Sequence, residues 1–110
     1  MEIRAPDLLE TYRITRSLPA DERFCLTSQM RRSALSIPAN IVEGFRRRRP
    51  KDKIRFYNYS HSSLDELAYF YRVCKDLGYL QDYVEVGRLL ESTGRMLTRL
   101  VQTTTTFPSF

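Results

Sequence analysis

The chain has 110 residues, 42% hydrophobic and 28% charged, with only four glycines and five prolines. That length holds a single domain, the apolar content excludes a disordered chain, and the scarcity of Gly and Pro favours long uninterrupted elements. The formal net charge is +5, but residues 46–55, RRRRPKDKIR, hold seven basic residues and one acidic, a net +6. The other hundred residues therefore carry −1.

Four segments carry helical periodicity. The first is predicted over Pro6 to Ser17, opening with Pro6 and Asp7, both favourable in a first turn. Its better face runs through Leu8, Leu9, Tyr12 and Thr15 or Arg16, and Leu18-Pro19 breaks it. The second is predicted from Ala20 to Arg46, with Leu26, Met30, Ser33 or Ala34, Ile37, Ile41 and Gly44 or Phe45 at three- and four-residue steps. Pro38 lies inside this run. It lacks an N–H and meets the carbonyl of Ala34, so the spacing predicts a kink, with a break into two helices as the alternative.

The third helix is predicted from Lys51 to Leu77, after a turn containing Pro50. Its inner face is Ile54, Tyr57, Ser60 or His61, Leu64, Leu67 or Ala68, Tyr71 and Cys74, and Gly78 ends it as a left-handed cap. The fourth spans Gln81 to Thr103 with Val84, Gly87, Leu90, Gly94, Leu97 and Val101 in step. Residues 104–110 read as a flexible C-terminal tail. The fold class is all-α: an antiparallel up-down four-helix bundle occupying residues 1–103, with a Pro-kinked second helix.

Little in this pattern suggests catalysis. There is one histidine, His61, too few for the usual acid–base or di-metal schemes. Asp65 and Glu66 are adjacent, point in different directions on a helix, and form no carboxylate pair. No glycine-rich phosphate loop is present. Cys25 and Cys74 belong to no Cys/His cluster, so no metal site is indicated, and both are expected to be reduced, buried small hydrophobes. No cofactor is implied. The N-terminal MEIRAPDLLE has no secretory pattern and no apolar run approaches the roughly 20 residues of a spanning helix, so the expectation is a cytoplasmic protein without a membrane partner.

What remains is charge. Arg46, Arg47, Arg48 and Arg49, with Lys51, Lys53 and Arg55, form a basic turn suited to nucleic-acid phosphates, RNA or DNA. Four consecutive arginines repel one another, which argues against an idle solvated loop. An acidic protein would meet the same surface. Phe45, Phe56, Tyr57 and Tyr59 flank the turn. They read as core residues at helical spacing, or, where outward-facing, as platforms for unpaired bases. Arg31 and Arg32 lie mid-helix near the apolar face. They suit a subunit interface or channel, or else one pairs with Glu43 or another carboxylate while the other is exposed. The run from Ser36 to Gly44 is the most unusual stretch, because Pro38 frees backbone carbonyls that Asn40 or a nearby serine can satisfy.

Those residues carry a resemblance. Leu18-Pro19, Glu22-Arg23-Phe24, Leu26 to Ala34 and Ser36-Ile37-Pro38-Ala39-Asn40-Ile41-Val42-Glu43-Gly44 resemble the signature of bacterial four-helix-bundle proteins, among them the ribosomal-RNA intervening-sequence proteins. Phe56, Ser63-Leu64, Glu66 and Leu77-Gly78-Tyr79-Leu80 match later positions, so the likeness spans Leu8 to Leu100. It implies a homopentamer with no established catalytic activity. A related branch serves diversity-generating retroelements as an accessory protein, its pentamer binding the reverse transcriptase and nucleic acid through a basic surface. Asn40 and Glu43 join Arg31 and Arg32 as candidates for an interface or channel. Ser62 stands where the family carries glycine, which implies a looser helix contact there, and the first helix is shorter than usual. The leading expectation is a non-catalytic nucleic-acid-binding oligomer, an accessory subunit of a retroelement reverse transcriptase. The alternative is a scaffold that docks an acidic protein.

Overall fold

A computed structural model describes residues 4–106, and within them the chain is helical and without strands. The elements are α1 (Pro6–Thr15), a 3₁₀ turn (Ala20–Glu22), α2 (Leu26–Arg46), α3 (Pro50–Asp76) and α4 (Tyr83–Thr106). Sequential helices pack as neighbours, α1 on α2, α2 on α3 and α3 on α4, and α4 returns to α1. Short connections between consecutive long helices give the up-down order predicted above.

The α2 stripe is the backbone of the core. Leu26, Met30, Ala34, Ile37 and Ile41 are buried, and Leu64, Leu67, Tyr71 and Cys74 of α3 and Leu90 and Leu97 of α4 close around them. These are the positions the periodicity selects. The helix begins later than predicted, because residues 20–25 form the 3₁₀ turn and a short link. It runs unbroken through Pro38, so the alternative of two separate helices is excluded.

The contact between α2 and α3 is close and polar at its centre. Ser36 Oγ lies 2.7 Å from Ser63 Oγ, and Ser60 donates to the carbonyl of Ile37 at 2.7 Å. Asn40 donates to the carbonyl and hydroxyl of Ser36, both at 2.9 Å. Asn40 and Ser60 thus serve the carbonyls of Ser36 and Ile37, not that of Ala34, whose helical donor Pro38 removes. Near the end of α2 a Cβ added at Gly44 would lie 2.4 Å from Cε1 of Tyr57, so only glycine admits this approach. Ser62 is exposed.

Three expectations are corrected. In α1 the buried side is Asp7, Thr11, Ile14 and Thr15, while Leu9 is 72% exposed. Hydrogen bonding overrides apolarity here. Thr11 donates to the carbonyl of Asp7 at 2.6 Å, and its oxygen lies 2.7 Å from the Tyr71 hydroxyl. Thr15 donates to the Thr11 carbonyl, and Thr93 donates to Asp7 Oδ1 at 2.8 Å. The hydroxyls of Thr11 and Thr15, satisfied in this way, lose little by leaving water, whereas Oδ2 of Asp7 has no partner. In α4 the buried residue of the first turns is Val86, not Val84, and the helix continues through Thr106, so residues 104–106 of the expected tail are helical. Residues 107–110 lie outside the described residues. Finally, Cys25 is exposed, standing at the start of α2 off its apolar stripe, whereas Cys74 is buried beside Met30 as expected.

Helix lengths decide what the bundle's ends look like. At about 1.5 Å per residue, α3 spans about 40 Å and α1 only about 15 Å. α1 reaches from Thr15, opposite Arg31, to Asp7, which faces the same cavity as Ile37 and Ile41. The end carrying the α2–α3 turn is consequently built from three helices. The opposite end of α3 closes in a Schellman motif, with Gly78 at φ 80°, Tyr79 N–H on the Cys74 carbonyl and Gly78 N–H on the Lys75 carbonyl.

Candidate nucleic-acid interface

The basic turn sits where α2 stops and α3 begins. α2 ends at Arg46, and Arg47 takes an extended conformation (φ −76°, ψ 151°), as does Arg49 before Pro50. Proline explains the second of these, because the residue preceding it is pushed out of the helical region. Pro50 then opens α3 at its first position, where its missing N–H costs nothing. All four arginines are exposed.

Within this cluster the cations have different tasks. Glu43 accepts from Arg47 at 2.6 Å and lies 3.9 Å from Arg46. Both pairs are solvent-exposed, worth at most about 1 kcal/mol, and leave the turn strongly positive. Lys53 is turned inward: its ammonium donates to the carbonyls of Gly44 and Phe45 at 3.3 and 3.1 Å. It thereby covers the negative end of the α2 dipole. Among the described residues, Arg48, Arg49, Lys51 and Arg55 form no ion pair. The amino end of α3 has no side-chain cap, so its free N–H groups add positive potential at the same place.

The flanking aromatics divide as well. Tyr57 is buried at 1% exposure and packs edge-on to Phe45, which is itself 38% exposed. Phe56 is half-buried with the guanidinium groups of Arg47 and Arg55 over its ring at 4.7 and 5.1 Å, contacts that steady both arginines. Tyr59 is 48% exposed. The core reading holds for Tyr57, while Phe45 and Tyr59 present ring surface to solvent.

Arg31 and Arg32 face differently from the turn. Arg31 donates from Nε to Thr15 at 2.8 Å and stacks over Tyr12 at 4.6 Å. Among the described residues it pairs with no carboxylate, and Glu43 pairs with Arg46 and Arg47, so the alternative in which Arg31 or Arg32 pairs with Glu43 does not hold. The reason is register: α1 lies over the Arg31 level of α2, and Glu43 lies three turns away. Arg32 is exposed, and with Arg23, Phe24 and Leu35 it lines an open groove on the outer side of α2. Asn40 is engaged within α2, as described above.

A further group of basic residues lies on α4. Arg95 and Arg99 of α4 line a shallow groove with His61 of α3, whose Nε2 is 3.3 Å from the Thr98 hydroxyl. The two arginines are one turn apart on α4, with Glu91 3.9 Å from Arg95, and only the α3–α4 packing brings His61 to them. Among the described residues no group of three or more His, Cys, Asp or Glu is placed to hold a metal ion, and no helix is long and apolar enough to cross a membrane.

The family model described as 23S rRNA-intervening sequence protein matches residues 7–99. No curated protein matches the chain.

Proposed function

The chain belongs to the 23S rRNA-intervening sequence protein family, and from that membership and the geometry of the turn we propose a non-catalytic protein that binds nucleic-acid phosphates. The observation that carries the reading is the exposed run Arg46 to Arg49 beside the uncapped amino end of α3, where Glu43 is the one carboxylate paired with the arginines and Asp52 lies in the first turn of α3. Phosphate oxygens are the acceptors such a surface lacks. Arg48, Arg49, Lys51 and Arg55 make the principal contacts, and Arg46 and Arg47 exchange Glu43 for phosphate. Contacts of this kind hold the polymer without reading its sequence. The family description favours RNA, and the reading places the protein in the cytoplasm.

Assembly belongs to the same proposal. Phe24, 84% exposed, Leu35, 47% exposed, and Arg32 are left uncovered on α2 by a single chain. A homo-oligomer, a pentamer on the family resemblance, would cover them and repeat the basic turn, so weak single contacts would sum through avidity. Service as the accessory subunit of a retroelement reverse transcriptase is the most specific form of the reading. A reverse transcriptase co-purifying with the protein after nuclease treatment would support it.

The test is binding to single- and double-stranded RNA and DNA across a salt series. Wild type is compared with Arg48 and Arg49 changed to glutamine, and with Lys53→Met. Counterion release predicts a slope of roughly 0.7 to 0.9 per phosphate neutralised. The double glutamine variant should lose affinity and flatten that slope by about 1.5, with unchanged stability. Lys53→Met should chiefly lower stability. Equal binding by wild type and the double variant would refute the site.

A further inference from the structure

Phosphate binding by itself makes no use of the aromatic rings beside the basic turn. Tyr57 is buried, and Phe56 is covered, its ring carrying the guanidinium groups of Arg47 at 4.7 Å and Arg55 at 5.1 Å. Phe45 is partly exposed, but Lys53, whose ammonium reaches its carbonyl, is committed to the end of α2. Tyr59 differs from these. It is 48% exposed, and among the described residues no cation lies over its ring. The ring meets Phe56 edge-to-face, with centroids 5.5 Å apart and planes at 87°.

A single exposed tyrosine is ordinary, and what distinguishes this one is its neighbours. Arg55 and Tyr59 stand four residues apart on α3, which puts their Cβ atoms about 5 to 6 Å apart on one helix face. Arg47 reaches the same patch from the end of α2, across Phe56. The result is one continuous surface, with two guanidinium groups held on the Phe56 ring and a second ring standing against it. Cations held in this way lose less freedom when they bind an anion. Carboxylates mark its limits: Asp52 lies in the first turn of α3, and Asp65 and Glu66 are exposed further along the helix. Tyr59 therefore stands where the basic stretch of α3 ends.

We infer that Tyr59 stacks on an unpaired base while Arg47 and Arg55 hold the phosphates beside it, so that the ligand of this surface is a single strand and not a duplex. The inference rests on the phosphate-binding reading of the turn. A duplex keeps its base faces stacked on one another, so it meets the arginines but has nothing to offer the ring. A single strand presents both phosphates and base faces. Every base has such a face, so the contact selects unpaired segments without selecting a sequence.

The experiment is fluorescence anisotropy of the full chain with a labelled uridine oligomer, an abasic oligomer of the same length, and an RNA duplex of that length. Wild type, Tyr59→Ala, Tyr59→Phe and the Arg48 and Arg49 double glutamine variant are compared on each. Tyr59→Ala should bind the uridine oligomer at least about fivefold more weakly, the low end of what stacking on one base contributes. On the abasic oligomer and the duplex it should match wild type, with the same salt slope. Tyr59→Phe keeps the ring and should bind every probe as wild type does. Should Tyr59→Ala fail to fold, Tyr59→Trp decides, because it gives the chain its one tryptophan. That fluorescence should be quenched by the uridine oligomer and not by the abasic one. Equal binding of the uridine oligomer by wild type and Tyr59→Ala, an equal loss on every probe, or equal quenching by both oligomers would overturn the inference. If the double glutamine variant loses binding while Tyr59→Ala does not, the phosphate site stands and the stacking site falls. If wild type binds no probe, both fall.

Discussion

Gly44 is the position at which a single methyl group should matter most. It lies near the carboxyl end of α2, three residues before Arg47, and an added Cβ would meet Tyr57 at 2.4 Å from Cε1 and 2.8 Å from Cδ1. The ring cannot swing aside, because Tyr57 is 1% exposed and packed edge-on to Phe45. Gly44→Ala gains up to about 1 kcal/mol from helix propensity, less so near close to a helix end. Against this, forcing a methyl group into a filled site costs about 1 to 3 kcal/mol, and a contact this short belongs at the upper end. The expected net loss is about 1 to 2 kcal/mol, or a fall in Tm of roughly 5 °C or more for a domain of this size. Thermal and urea unfolding followed by circular dichroism, at one protein concentration, measures it. Pairing the change with Tyr57→Leu makes room for the methyl group, so the double variant should be more stable than the two single losses predict, by about 1 kcal/mol. If Gly44→Ala were as stable as wild type or more so, propensity would have won and the close approach of α2 to α3 would be wrong.

The Thr11–Tyr71 pair makes an asymmetric prediction. The single Thr11 hydroxyl proton is used on the Asp7 carbonyl, so Tyr71 must donate to Thr11. Thr11→Val strands a buried phenol and should cost about 1 to 3 kcal/mol, whereas Tyr71→Phe leaves Thr11 bonded and should cost about 1 kcal/mol, both read from urea denaturation. For Asp7, a carboxyl pKa raised by burial means that the folded chain holds its proton more tightly than the unfolded chain. That contribution is full below the unfolded pKa and lost as pH rises through the folded one. Asp7→Asn carries no charge, so it should be more stable than wild type at pH 7, with the gap closing toward about pH 4. The two cysteines should differ in reactivity: burial pushes the Cys74 thiol up to about 11, whereas Cys25 is exposed. Mass spectrometry after brief iodoacetamide treatment of native protein should find Cys25 alkylated and Cys74 modified only on unfolding.

The helical class, the α2 stripe and the place of the charge are legible in the residue pattern alone. Three- and four-residue spacing from Leu26 to Ile41 leaves α2 one face to bury, and Gly78 marks the end of α3 because its positive φ suits glycine. The run from Arg46 to Arg49 is visible in any register, since neighbouring charges need no fold to be neighbours. The remaining features depend on how the helices pack. The buried face of α1 is chosen by Tyr71 and Thr93, 60 and 86 residues from their partners, and a ten-residue helix with scattered apolar residues cannot encode that choice locally. Lys53 reads as one more cation among seven until the end of α2 comes within reach and takes its ammonium. The unpartnered oxygen of Asp7 likewise exists only because three helices enclose it. Periodicity reports what a segment must hide from water, whereas the partner of each buried polar group is set by elements distant in sequence.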